Sequence, residues 1–287
     1  LDELYSRVSE ITKQALYYFM KEEDISTLNY HFRYYFDHCI DLNQIQVIPH
    51  HFSNHKIEGL TVIDRLGTSF SYEKDNPITK RNFTLCHELG HFILRHEGTY
   101  FTESIDNQES VIEREANIFS AVVLMPDIVL LSKIYYSCDS FQKVKEDLEV
   151  SKQALYYRLI DLLRFYKVDT ESAIKQTVES YIDGQNGSLH HYFHEIKETL
   201  IAEFNQYQIP LSARLKKKMK QTNFVTSQEL PELLDQSWWN EIREIEHFRV
   251  WLVYNKGKSL AYVWNSEKLS EIEARKKANL QLLSMLD

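Results

Sequence analysis

The sequence predicts an α+β fold, rich in helix and interrupted by two small β-hairpins. Three observations carry this: apolar residues recur at helical intervals along most of the chain, two stretches alternate in the β manner around a turn, and glycine is scarce. Seven glycines among 287 residues fall well below the average usage of about 7%, which fits long helices with few tight turns. With 43% hydrophobic residues the chain can fill a substantial core.

The elements follow in order. Leu4, Val8, Ile11, Leu16 and Phe19 give residues 1–20 the spacing of an amphipathic helix. A Tyr- and Phe-rich helix is expected near 27–40, then a short strand at Ile45–Ile48. Leu60–Ile63 and Thr68–Tyr72 flank a turn at residues 64–67 and read as a hairpin. Asn76-Pro77 breaks the chain before a helix capped by Thr79 that runs to about Arg95, with Gly98 near its end. That helix is apolar on nearly every side and is expected at the centre of its domain, and a close neighbour would explain Gly90 in its interior. A further helix, about Glu109 to Met125, stops at Pro126. Phe141–Leu148 and Lys152–Phe165, with Ser151 as N-cap, form a helix-turn-helix-like pair. The turn cluster at 183–188 suggests a domain boundary between 168 and 188. Beyond it, helices are expected near 189–208 and 227–246, then a hairpin over 248–264 and a last helix at about 267–286.

A formal net charge of −9, most of it in the first 170 residues, disfavours a general nucleic-acid binder. Cys39, Cys86 and Cys138 are odd in number and widely spaced, so they outline neither a disulfide framework nor a Cys-x-x-Cys zinc site. No charged-then-apolar leader and no stretch of about 18 apolar residues is expected to meet a membrane, and a reducing cytoplasm fits this cysteine usage.

The chemistry lies in His87-Glu88-Leu89-Gly90-His91. Histidines four residues apart on a helix stand one turn above each other, so both imidazoles reach one zinc ion, and the glutamate between them can take a proton from an activated water. The alternative is a pair of core histidines bonded to backbone carbonyls. Zinc needs a third protein ligand and an open position. Glu115, on a stripe with Ile112, Phe119 and Val122, is the favoured ligand, because a buried carboxylate is costly without a cation. Glu113 falls with Asn117 and Ser120 on a more polar face and is expected in solvent or supporting a ligand histidine. Manganese could occupy the same donors.

The blocks 81–91 (RNFTLCHELGH) and 113–126 (EREANIFSAVVLMP) together resemble the ImmA/IrrE family of metallo-endopeptidases, over roughly residues 40–165. By position the resemblance implies His87, His91 and Glu115 as metal ligands and Glu88 as catalytic base. Cys86 and Ser120 stand where the family often has alanine, and Cys86, projecting about 100° from His87, is read as a small core residue rather than a fourth ligand.

The implied organisation is a zincin-like metallopeptidase domain at 1–128, a helix-turn-helix-like extension at 129–170 and a C-terminal α+β recognition or sensor domain at 171–287. The implied activity is cytoplasmic zinc-dependent cleavage of a protein, a helix-turn-helix repressor, which switches on a mobile element or stress response. The strand ending at Tyr72 is expected to offer its edge to an extended substrate. Tyr72, His96 and Tyr100 lie near the motif in sequence, but no oxyanion donor or substrate-binding residue is assigned. His190, His191 and His194, the group His50, His51 and His55, and the basic run Arg214–Lys220 read as ordinary surface or core residues. The rival reading is a non-catalytic DNA- or repressor-binding regulator with a structural metal, using Lys152, Tyr156, Tyr157 and Arg158.

Overall fold

The computed structural model describes residues 3–52, 57–65, 67–96, 98, 100–104 and 110–285, so Leu66, His55 and Glu109 of the expectations above lie outside it. Its contacts divide the chain into two compact units, 1–207 and 208–287. The architecture is mixed α+β and helix-rich.

In the first unit, helix α1 (Glu3–Glu22) and helix α2 (Phe32–Asn43) are followed by strands β1 (Gln46–His50), β2 (Ile57–Asp64) and β3 (Gly67–Glu73). Helix α3 (Ile78–Ile93), strand β4 (Tyr100–Ser104) and helix α4 (Val111–Leu124) come next. Helix α5 (Asp127–Leu130) continues into a π-helical turn, Leu131–Tyr136. Helices α6 (Phe141–Asp147), α7 (Lys152–Phe165), α8 (Glu171–Ile182) and α9 (Gly187–Gln206) complete the unit.

Local chemistry explains the boundaries. Ser110, Ser140, Ser151 and Thr170 each accept a backbone N–H bond at the start of a helix, satisfying a donor that has no partner within the helix. The start of α3 differs from expectation: Pro77, not Thr79, is the N-cap, and it makes no side-chain bond. Proline holds an extended entry there and needs no hydrogen-bond partner for its nitrogen.

The sheet order is β1-β3-β2-β4, with β1 parallel to β3 and the other pairs antiparallel. This corrects the expectation for the strand that ends at Tyr72. β3 is interior, flanked on both sides, and Phe70 is fully buried, so its edge cannot receive a peptide. The edge strands are β1 and β4.

One apolar core joins α1, α2 and the sheet to α3 through α9, which moves the division of the chain from the expected 168–188 region to 207/208. The turn at 183–188 is a connector: Gly184, at φ 85°, ends α8, and Leu189, Tyr192 and Phe193 of α9 return to the same core. Contrary to expectation, the continuous stretch Val111–Tyr136 is long and apolar enough to cross a membrane, but 83% of its most apolar window is buried inside the unit. It is a core helix by that measure.

The second unit contains α10 (Leu211–Thr222), β5 (Phe224–Thr226), α11 (Trp239–Glu244), β6 (Phe248–Asn255), β7 (Lys258–Asn265) and α12 (Glu271–Ser284). Its sheet runs β5-β7-β6, and the expected hairpin turns at Lys256 and Gly257, both with positive φ. Leu215 and Met219 turn inward from α10, which leaves its lysines on the outer face, as expected of the basic run. The helix expected over 227–246 is replaced by β5, two 3-10 turns and the short α11. Strand pairing reaches Ser227 through its N–H to Ala261 O (2.8 Å), Pro231 begins a 3-10 turn, and Trp239 Nε1 donates to Leu233 O (2.9 Å). These non-local bonds outweigh the helical spacing.

A buried charge cluster ties the ends of the first unit together. Asp127 receives Lys13 of α1 (2.5 Å) and Arg158 of α7, while Lys13 also bonds Glu203 of α9 (2.9 Å). Arg158 also donates to Met125 O (3.1 Å) and to the Tyr5 hydroxyl (3.0 Å). Burial opposes ionisation of Asp127, but Lys13 and then Arg158 outweigh it and hold the carboxyl at about 2, against an ordinary 3.8. Because the folded value is depressed, this stabilisation is complete above pH about 4 and is lost as pH falls from 3.8 through about 2. Asp127→Asn leaves buried Arg158 without a carboxylate and Lys13 with Glu203 alone, and is expected to cost about 3–5 kcal/mol in urea unfolding at neutral pH. An unchanged midpoint would refute this account of the cluster.

Candidate metal centre

α3 and α4 approach closely at Gly90, which leaves room for Ala116 and the Phe119 ring of α4. A Cβ added at Gly90 would sit 3.2 Å from Ala116 Cα and 3.1 Å from Phe119 Cδ1. The missing side chain thus sets the spacing of the helices, which is the close neighbour anticipated for this glycine. One turn away, the polar side chains of the two helices meet.

His87 and His91 face each other with their Nε2 atoms 3.0 Å apart, as their spacing predicts. The acidic group between them is Glu113: its Oε2 lies 3.0 Å from His87 Nε2 and its Oε1 3.6 Å from His91 Nε2. One donor atom from each of the three residues lies within 4.8 Å of the others, and all three residues are buried. Asn117 Oδ1, 3.0 Å from His87 Nδ1, accepts the proton there and leaves the Nε2 lone pair toward Glu113.

Glu115, the expected third ligand, is not in this group. Its carboxylate bonds Arg7 of α1 and His96 Nε2, the latter at 2.7 Å. The reason is helical phase. Glu113, Ala116, Asn117 and Ser120 form the stripe of α4 that meets α3, and Glu115, two residues on, points about 200° away from Glu113. The apolar stripe that favoured Glu115 did not discriminate, because Phe119, Val122 and Val123 are all fully buried and the helix is enclosed on most sides.

Glu88 is fully buried beneath β2. Thr61 donates its hydroxyl to Glu88 Oε2, and Gly59 leaves room for the other oxygen: a Cβ there would lie 2.3 Å from Glu88 Oε1 and 2.6 Å from Thr84 Cγ2. On the far side, the ring of His91 stacks on Phe101 of the edge strand β4, centroids 4.7 Å apart. Burial, reinforced by the neighbouring imidazoles of His87 and His96, pushes His91 down to about 3 from an ordinary 6.5. A neutral imidazole is the form that binds a metal.

Two imidazole nitrogens and a carboxylate converge at distances a single divalent ion would bridge, so the donor set fits a metal. A second group, His51, Glu73 and Asp75, is largely exposed. Both Glu73 oxygens already accept backbone N–H bonds, from Phe52 (2.7 Å) and Asp75 (3.1 Å), which makes it a loop clamp. His190 and His194 bond Tyr135, and His191 pairs with Glu195 on the surface. Cys86 is fully buried, and burial pushes its thiol up, in keeping with its core role.

Sequence reasoning missed Thr61, Gly59 and Arg7, and left Asn117 and His96 without defined roles. Arg7 is separated from its partner Glu115 by 108 residues, and no local pattern announces such a contact. The side chain of Tyr100 lies outside the described residues.

Histidines one turn apart, an acid from a second helix and a glutamate held against a strand are what a metal-dependent hydrolase of the metallopeptidase class requires. Residues 41–160 match the IrrE N-terminal-like domain of the Peptidase M78 family, a match that supports a protein of the ImmA/IrrE family. No curated protein matched the chain.

Gly59→Ala tests the seating of Glu88. The added methyl is expected to cost about 1–3 kcal/mol of stability by overpacking and to displace the carboxylate, without loss of bound metal. Wild-type unfolding together with wild-type activity would show that the close approach is unimportant.

Proposed function

We propose that this chain is a zinc-dependent endopeptidase that hydrolyses a peptide bond in a protein substrate, with a helix-turn-helix repressor as that substrate. The observation that carries the reading is the convergence of His87, His91 and Glu113 beside the buried carboxylate of Glu88. Two nitrogens and one oxygen are the donor set of catalytic zinc sites, which keep one position open, although manganese suits the same donors.

A divalent ion held by these three residues supplies a more acidic water and a polarised scissile carbonyl. The chain's own residues do the rest. Glu88 takes the proton from the attacking water and delivers it to the leaving amine, and Thr61 fixes the direction of its carboxylate. Asn117 holds the tautomer of His87.

The substrate adds as an extended strand along β4, the sheet edge that carries Phe101 against His91. On the other side of the centre, a cavity of ≈ 590 Å³ lined by Phe83, Asn117, Leu124, Met125 and Tyr157 has room for a large apolar side chain. A repressor as substrate, relief of repression in a mobile element or stress response, and a cytoplasmic setting follow from the family resemblance.

The rival reading as a DNA-binding regulator is weakened at its contact surface. Of the side chains assigned to groove reading, Arg158 is fully buried and committed to Asp127, Tyr5 and Met125. Glu88→Gln separates the two readings. It is expected to keep metal content and thermal midpoint while cleavage of a helix-turn-helix repressor falls by about 10²–10⁴-fold. Cleavage at the parental rate would remove Glu88 from catalysis, and derepression without cleavage would favour the regulator.

A further inference from the structure

A ligand imidazole presents one nitrogen to the metal only if its other nitrogen holds the proton, and something must accept that proton's hydrogen bond. His87 has Asn117 for this. Behind His91 stands a second imidazole: His91 Nδ1 lies 2.7 Å from His96 Nδ1, and His96 Nε2 lies 2.7 Å from Glu115 Oε2. Arg7 of α1 bonds the other oxygen of Glu115. The side chains of His96 and Glu115 are 4% and 10% exposed, so little water competes for these bonds.

The proton positions along this chain are determined from its far end. A carboxylate beside a guanidinium only accepts, so His96 Nε2 carries a proton and donates it to Glu115. The other nitrogen of that ring, Nδ1, is the atom that faces His91. That atom accepts from His91 Nδ1–H, which leaves the His91 Nε2 lone pair directed at Glu113 and His87.

We propose that His96, Glu115 and Arg7 are positioning residues that fix the tautomer and ring orientation of His91 and thereby set the metal affinity of the site. The inference rests on the reading of His87, His91 and Glu113 as ligands. It gives Glu115 a function two side chains removed from the metal, through His96 and His91, and it brings into the site a residue from α1, outside the matched segment 41–160.

The test uses the full chain, with zinc affinity measured by chelator competition and the thermal midpoint of the metal-free protein measured alongside. His96→Phe removes the acceptor and Glu115→Ala the end of the chain; each is expected to weaken zinc binding about 10–100-fold. His96→Gln, whose amide oxygen can accept from His91 Nδ1–H, is expected to restore most of the affinity, which a purely structural role of the ring would not predict. Arg7→Ala, at a half-exposed side chain and thus safe for folding, is expected to show a smaller loss in the same direction. The visible spectrum of the cobalt-loaded protein is expected to be unchanged by Glu115→Ala, since no ligand is lost.

Affinities equal to the parent in His96→Phe and Glu115→Ala, with binding lost in Glu113→Ala, would overturn the inference and leave the metal centre standing. A cobalt spectrum altered by Glu115→Ala would overturn it by making Glu115 a ligand. A parent chain that binds no zinc would remove the centre and the inference together.

Discussion

The close crossing of α3 and α4 at Gly90 and Ala116 is the contact on which the rest of the site depends. A metal centre needs its donors within a few ångströms, and the side chains of one helix cannot supply a suitable third donor to a histidine pair without a neighbour at short range. With no Cβ at Gly90, the backbones approach until Asn117 and Glu113 reach the imidazoles of His87 and His91. The same economy recurs on the other face of α3, where Gly59 of β2 makes room for Glu88. Two absent side chains, one on each side of the motif helix, thus set the depth of the histidine pair and of Glu88.

Burial gives these groups their chemical character. His91 remains neutral well below the pH at which an exposed imidazole would charge, and a neutral ring in a dry setting is a ready ligand. A carboxylate in the same setting is costly by itself, and each one here has a partner: Glu113 faces two imidazoles, Glu115 an imidazole and a guanidinium, and Glu88 a threonine hydroxyl. The polar interior is organised as pairs, which is how a largely apolar core accommodates it.

The parts legible in the sequence were those set by short-range geometry. The facing of His87 and His91 is a property of any helix, and the Ser151 cap of α7 and both hairpins follow from a few adjacent residues. Choosing between Glu113 and Glu115 required the rotation of α4 about its own axis relative to α3. In a helix enclosed on most sides, the apolar pattern carries no such information. Sheet order was hidden for a related reason: β1 returns to pair in parallel with β3, and that placed the presumed substrate edge inside the sheet. The turn at 183–188 resembled a domain linker because polarity and glycine mark any exposed turn, whereas the packing of α8 and α9 is decided by distant partners.

Those distant partners bear on where the functional unit ends. The matched segment, residues 41–160, contains the histidine pair and both candidate glutamates, yet its buried charges are balanced from outside it. Lys13 of α1 pairs with Asp127 just after the core helix α4, and Glu203 of α9 completes that cluster. Arg7, less than two turns of α1 before Lys13, reaches Glu115 on α4 itself. Two contacts from α1 therefore reach the start of α4 and the start of α5, on either side of the helix that supplies Glu113. Without α1 the segment would retain every donor atom, but Asp127 and Glu203 would lose Lys13 and Glu115 would lose Arg7, an excess of buried negative charge that opposes folding. The unit that maintains the candidate metal centre is residues 1–207, and the helices flanking the matched segment supply partners to its buried charges.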